Sequence, residues 1–213
     1  MKKAFTLLEI ILVIIVIGII IKITFADTKA DLLNQAATQL VSHIRYTQHL
    51  AMIDDKYKIN DSIWYKKRWQ IIFGTSVFTE SEIAYSVFSD TSGSSSGRPD
   101  ISETAINPLD RSKLLGGGYS GIIYSSDSRV TQSMNIGKTF GINNYNLDDG
   151  CSGTRIAFDN LGRPLRGNIN SMTGAYHAGT QRLIVSTCNI ILENSEGNIT
   201  ISIEPETGYT YIQ

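Results

Sequence analysis

From Ile10 to Ile21 every residue is apolar or glycine; Phe5, Leu7 and Leu8 extend the run backwards, and Ile23 and Phe25 extend it forwards. As a helix, 5–26 would reach roughly 30 Å, about the thickness of a hydrocarbon core. Its Ile and Val content favours strand in water, but in lipid only a helix satisfies its own backbone. The pattern therefore predicts a transmembrane helix over 5–26, with Lys2 and Lys3 keeping the short N-terminal end cytoplasmic. After Lys22 the spacing changes: Leu33, Ala36 or Ala37, Leu40, Ile44, Thr47 and Ala51 recur at helical intervals. That spacing predicts an amphipathic helix over 27–56 whose stripe lies on a sheet while Asp27, Lys29, Asp31, Gln39 and Gln48 face water. Asp54-Asp55-Lys56 with Asn60 marks its end.

Over 57–213 the apolar runs shorten: Trp69 to Phe73, Ile83 to Phe88, Ile122 to Tyr124, Arg155 to Phe158, Leu183 to Leu192, Ile199 to Ile203 and Tyr209 to Ile212. These predict strands, and in Asn198 to Ile203 the isoleucines alternate with polar residues to give one buried and one wet face. Turn chemistry at Asn194-Ser195-Glu196-Gly197 and at Glu204-Pro205-Glu206-Thr207-Gly208 joins the last strands into an antiparallel meander. Asp90 to Pro99 reads as a Ser/Gly-rich surface loop, loop-like as far as Gly116-Gly117-Gly118, within a long insertion rather than at a domain boundary. The expected fold class is α+β: an N-terminal helix, half membrane-spanning and half amphipathic, packed on an antiparallel sheet.

Composition narrows the function more than the fold. At 213 residues and 42% hydrophobic content the chain is folded rather than disordered. A formal net charge of -1 gives no global attraction to nucleic acid or anionic lipid. The two cysteines, Cys151 and Cys188, lie on the exported side of the apolar segment. Pairing is the simplest reading in an oxidising compartment and would be worth about 3–4 kcal/mol; two free buried thiols are the alternative.

Glu9 is a carboxylate inside the apolar run. Near the centre of a bilayer it would cost at least ~2.5 kcal/mol, so a partner cation is expected; a position near the headgroups is the plainer alternative. The surrounding residues, Lys2-Lys3-Ala4-Phe5-Thr6-Leu7-Leu8-Glu9, resemble the leader and cleavage motif of type IV pilins and type II secretion pseudopilins. That resemblance implies a leader over 1–4, cleavage by prepilin peptidase between Ala4 and Phe5, N-methylation of Phe5, and a filament-core role for 5–26. Ala4 stands where the family usually has Gly. Ile156 to Pro164 and Ile199 to Gly208 look like late strand-turn signatures of GspH/FimT-type minor pilins. The implied function is that of a minor pilin or pseudopilin, a structural subunit anchored in the inner membrane with a periplasmic domain. Its implied partners are other minor pilins or pseudopilins, the major subunit, the peptidase and the inner-membrane assembly platform. An ordinary signal peptide cut after Thr24-Phe25-Ala26 explains neither Glu9 nor the helical pattern beyond it.

Catalytic candidates are sparse. His43 and His49 lie on the expected helix, His177 in a loop, and no nucleophile has a recognisable setting, so no enzymatic activity and no cofactor are expected. Asp148, Asp149 and Asp159 cluster in sequence and could bind calcium with backbone carbonyls, but their spacing matches no defined loop, and turn-forming or solvated aspartates are the favoured reading. The alternative function is a filament-tip binding module for DNA uptake or surface adhesion. Nucleic acid has one candidate patch, Lys66-Lys67-Arg68 beside Tyr65 and Trp69, opposed by the acidic Glu193, Glu196, Glu204 and Glu206.

Overall fold

A computed structural model describes residues 7–91, 97–118, 124–176 and 182–213, with the backbone alone over 22–31. The leader residues, Ala4 and Phe5 among them, lie outside this range, as do Ile122 and His177. The chain is α+β: helix α1 (Leu7–Ile53) lies across two antiparallel four-stranded sheets. Among the described residues no helix is long and apolar enough to cross a membrane. The expected span over 5–26 lies partly outside the described residues and finds no support among them.

The stripe expected of the amphipathic part is the buried face of α1. Leu33, Ala36, Ala37, Leu40, Val41, Ile44, Thr47 and Ala51 are all buried, and the helix stops just before Asp54-Asp55. Full burial of a side chain such as Leu40 or Ile44 contributes about 1.5–3 kcal/mol. The partners of that stripe are alternate residues of the strands: Ile71 and Phe73, Ile156 and Phe158, Ile190 and Leu192, Ile201 and Ile203.

The first sheet has the order β2-β1-β4-β5, from β1 (Trp69–Gly74), β2 (Ala84–Ser89), β4 (Arg155–Phe158) and β5 (Pro164–Arg166). The second has the order β3-β6-β7-β8, from β3 (Asn144–Asp149), β6 (Cys188–Asn194), β7 (Gly197–Ile203) and β8 (Thr210–Ile212). The C-terminal meander is present as β6-β7-β8, with Asn194 facing Gly197 at its first turn. The single sheet expected from the sequence is instead two. Strand β3, which was not anticipated, adds to the meander by pairing with β6 from Asn144↔Glu193 to Asp149↔Cys188. Its sequence, Asn-Tyr-Asn-Leu-Asp-Asp, buries only Leu147, so it carries almost no hydrophobic signal.

The insertion between β2 and β3 is built into the core rather than looped over the surface. Ala105, Leu115, Val130, Met134, Ile136, Phe140 and Ile142 are buried, the last three around a short helix α2 (Ile136–Phe140). Its backbone runs along β2, with Val87 N–H donating to Leu115 O at 2.8 Å and Ala105 N–H to Val87 O at 2.9 Å. The insertion thereby covers the edge of the first sheet, where unpaired backbone groups would otherwise recruit other chains. The sequence hid this because apolar residues spaced among Gly, Ser and Asp show no periodicity. A second, smaller core of Tyr65, Ala157, Leu165, Ile169 and Met172 lies on the other face of the first sheet.

Candidate assembly surface

The two ends of α1 meet different surroundings. The large apolar residues from Leu7 to Ile21 are 46–79% exposed, so among the described residues this stretch of helix is left largely uncovered. Glu9 lies in its first turn, exposed, where the helix dipole favours a carboxylate. Cleavage and methylation at Ala4 and Phe5 concern residues outside those described.

The distal part of α1 is locked to both sheets. The Gln48 amide donates to Gly162 O (2.8 Å) in the β4–β5 turn and to Thr207 O (2.7 Å) in the β7–β8 turn. These turns belong to the two segments whose sequence carried the minor-pilin resemblance. Gly162 and Gly208 have φ of +81° and +63°, and a Cβ on Gly208 would stand 2.5 Å from Gln48 Nε2 and 2.6 Å from Gly162 O. Glycine is needed there for both backbone conformation and close approach. Arg45 adds a third tie, donating from Nε and Nη2 to Thr210 O at 3.1 and 2.6 Å.

Gln39 and Gln48, expected to face water, are tertiary anchors. Gln39 Nε2 donates to Tyr85 Oη (2.8 Å) and to Ser133 O (2.9 Å), and Tyr85 Oη lies 2.7 Å from His43 Nδ1. The Tyr85 hydroxyl can therefore donate to a neutral imidazole while accepting from Gln39. Burial lowers the His43 pKa to about 4 and pushes the Tyr85 phenol up. The sequence placed His43 on the helix but held no sign of its partner, which comes from β2. His49 is exposed on the opposite side.

Two grooves flank the exposed polar ridge of Thr38 and Ser42. One, of about 520 Å³, is walled by the insertion at Asn107, Thr131 and Phe140. The other, of about 410 Å³, lies against Tyr211 and Ile212 of β8.

Cys151 and Cys188 form a disulfide, with Cα atoms 4.7 Å apart, that ties the end of β3 to the start of β6. The trio Lys66-Lys67-Arg68 does not form one exposed basic patch. Lys67 pairs with Asp61 at 2.7 Å, Arg68 is buried between aromatic rings, and Lys66 Nζ lies 6.0 Å from the Tyr65 ring centre. The short 3-10 turn over Trp64–Lys67 causes this, because it turns successive side chains to different sides. Asp148 and Asp149 cap local groups at the end of β3, whereas Asp159 is buried in the other sheet's β4–β5 turn, where it accepts from Arg163. Among the described residues no group of three His, Cys, Asp or Glu side chains is placed to hold a metal ion. Compared with known proteins, the chain matches no family model, no curated sequence and no solved structure.

Proposed function

We propose that this chain is a structural subunit of a type IV pilus or type II secretion pseudopilus, a minor pilin or pseudopilin held in the inner membrane through its N-terminal helix before assembly. The observation that carries the reading is the exposure of the whole apolar stretch Leu7–Ile21, with the carboxylate of Glu9 inside it, on the same helix that is buried from Leu33 to Ala51. A helix apolar on all sides requires lipid or other apolar helices around it. A domain that leaves such a segment uncovered has a place for it outside the chain. Cleavage before Phe5, implied by the motif, would create a cationic amine four residues from Glu9. In a bundle of such helices, the amine of one subunit and Glu9 of its neighbour would offset each other's desolvation and set axial register. The peptidase, the assembly platform and the major subunit are the partners this role requires.

The test is Glu9→Ala in the native host. Membrane retention should be unchanged, while recovery in sheared filaments falls at least tenfold. Wild-type recovery of that variant would remove the mechanism. Mass spectrometry of the mature N-terminus should find Phe5 carrying one added methyl group.

A further inference from the structure

The groove between α1 and the insertion, about 520 Å³ in volume, has the size of a small-molecule site, for which roughly 300–1,000 Å³ is usual. Its lining consists of four carboxamides (Asn34, Gln35, Gln39 and Asn107), four hydroxyls, the His43 ring and two apolar side chains, Leu109 and Phe140. None of these bears a formal charge, because His43 is held neutral.

Several of the polar groups are already fixed in place. Gln39 is held by its bonds to Tyr85 Oη and Ser133 O. Asn107 Nδ2 donates to Thr131 Oγ1 at 3.0 Å while its Oδ1 accepts from Leu109 N–H at 2.9 Å, and Thr131 Oγ1 donates in turn to Leu114 O at 2.9 Å. The same network sets the His43 tautomer. Tyr85 Oη accepts from Gln39, so its own proton goes to His43 Nδ1 and the imidazole proton stays on Nε2. The ring is only 9% exposed, and Nε2–H has no partner among the described residues. That N–H is the donor His43 keeps for whatever fills the groove.

The lining selects a ligand class by exclusion. A charged ligand would shed its hydration with no opposite charge to receive it. An apolar one would strip water from the carboxamides and hydroxyls without replacing their hydrogen bonds. Sugar hydroxyls both donate and accept, and so match side chains that do the same. The C–H faces of a sugar ring pack on apolar groups such as Phe140 and Leu109. Leu109, 94% exposed, becomes covered only when the groove is filled.

We propose that this groove is a binding site for a short neutral saccharide, with His43 Nε2–H, Gln39 and Asn107 hydrogen-bonding its hydroxyls and Leu109 covering an apolar face. The site belongs to the folded domain, so it stands whether or not the chain is a filament subunit.

The full chain in a polyoxyethylene detergent, which carries no sugar, should give saturable saturation-transfer NMR signals with at least one of maltose, cellobiose and N,N′-diacetylchitobiose. At mildly acidic pH, where both are ionised, digalacturonate and deacetylated chitobiose should bind at least about tenfold more weakly. Leu109→Ala and His43→Phe should each weaken binding by about fivefold or more, whereas Tyr211→Ala, in the other groove, should leave it unchanged. No saturable signal from any of the neutral sugars, equal binding of the charged ones, unchanged affinity in Leu109→Ala, or an equal loss in Tyr211→Ala overturns the site. Leu109 is exposed, so its variant decides the matter even if His43→Phe fails to fold.

Discussion

The two halves of α1 belong to one continuous helix yet obey different rules. From Leu7 to Ile21 the helix is apolar all round and uncovered; from Leu33 to Ala51 it is apolar on one stripe, and that stripe is buried. Inside the domain, each side chain is valued by the neighbour waiting for it. In the uncovered half the large apolar side chains stay 46–79% exposed. Substitutions in the two halves should therefore separate stability from assembly.

The largest separation comes from matched truncations. Leu40→Ala should lower domain stability by about 2–5 kcal/mol, since it empties a fully enclosed site. Ile14→Ala should leave the melting temperature of the domain unchanged. Equal losses for both, followed by circular dichroism in detergent, would mean that the exposed half packs on the domain after all. Next, reducing the Cys151–Cys188 disulfide, whose cysteines are 37 residues apart, should cost about 3–4 kcal/mol. Chemical denaturation with and without reductant measures this, and the helical signal of the exposed half should persist after the sheets have melted.

Acid should act on the buried half through His43. The folded domain keeps His43 neutral down to about pH 4, whereas the unfolded chain protonates it near 6.5. Between these values the unfolded state binds the extra proton, so stability falls as pH drops from about 6.5 towards 4, by roughly 3 kcal/mol in all. Urea midpoints at pH 7 and pH 5 should differ in the wild type and differ less in His43→Gln. The smallest effect is expected at the turn clasp. Gly208→Ala should cost about 2 kcal/mol from its left-handed backbone and its collision with Gln48, and Gln48→Ala about 1–2 kcal/mol from two lost hydrogen bonds. A Gln48→Ala variant as stable as wild type would show that the apolar stripe alone docks the helix.

The buried stripe was legible because helical period and helix packing coincide: Leu33, Leu40, Ile44, Thr47 and Ala51 recur at the spacing that places them on one face. The meander was legible for the same reason at period two, with turns supplied by Gly197 and Gly208. The insertion was not. Its contribution to the core comes from single residues such as Ala105 and Leu115, whose backbone is held by β2 rather than by neighbours in sequence. The basic trio misled because a run of charges in sequence does not show which of them a 3-10 turn directs inward.

By itself the sequence determined what local chemistry can encode: the apolar N-terminal run interrupted by Glu9, the amphipathic stripe after it, the alternating strands of the meander and the turn glycines. Tertiary structure alone decided that the strands divide into two sheets, that Cys151 meets Cys188, that Gln48 joins two distant turns, and that Arg68 is enclosed between the Trp64 and Tyr176 rings. Periodicity is written residue by residue along the chain. Pairing across tens of residues is set by which surfaces can be brought together and kept dry at once, and that depends on all of them together.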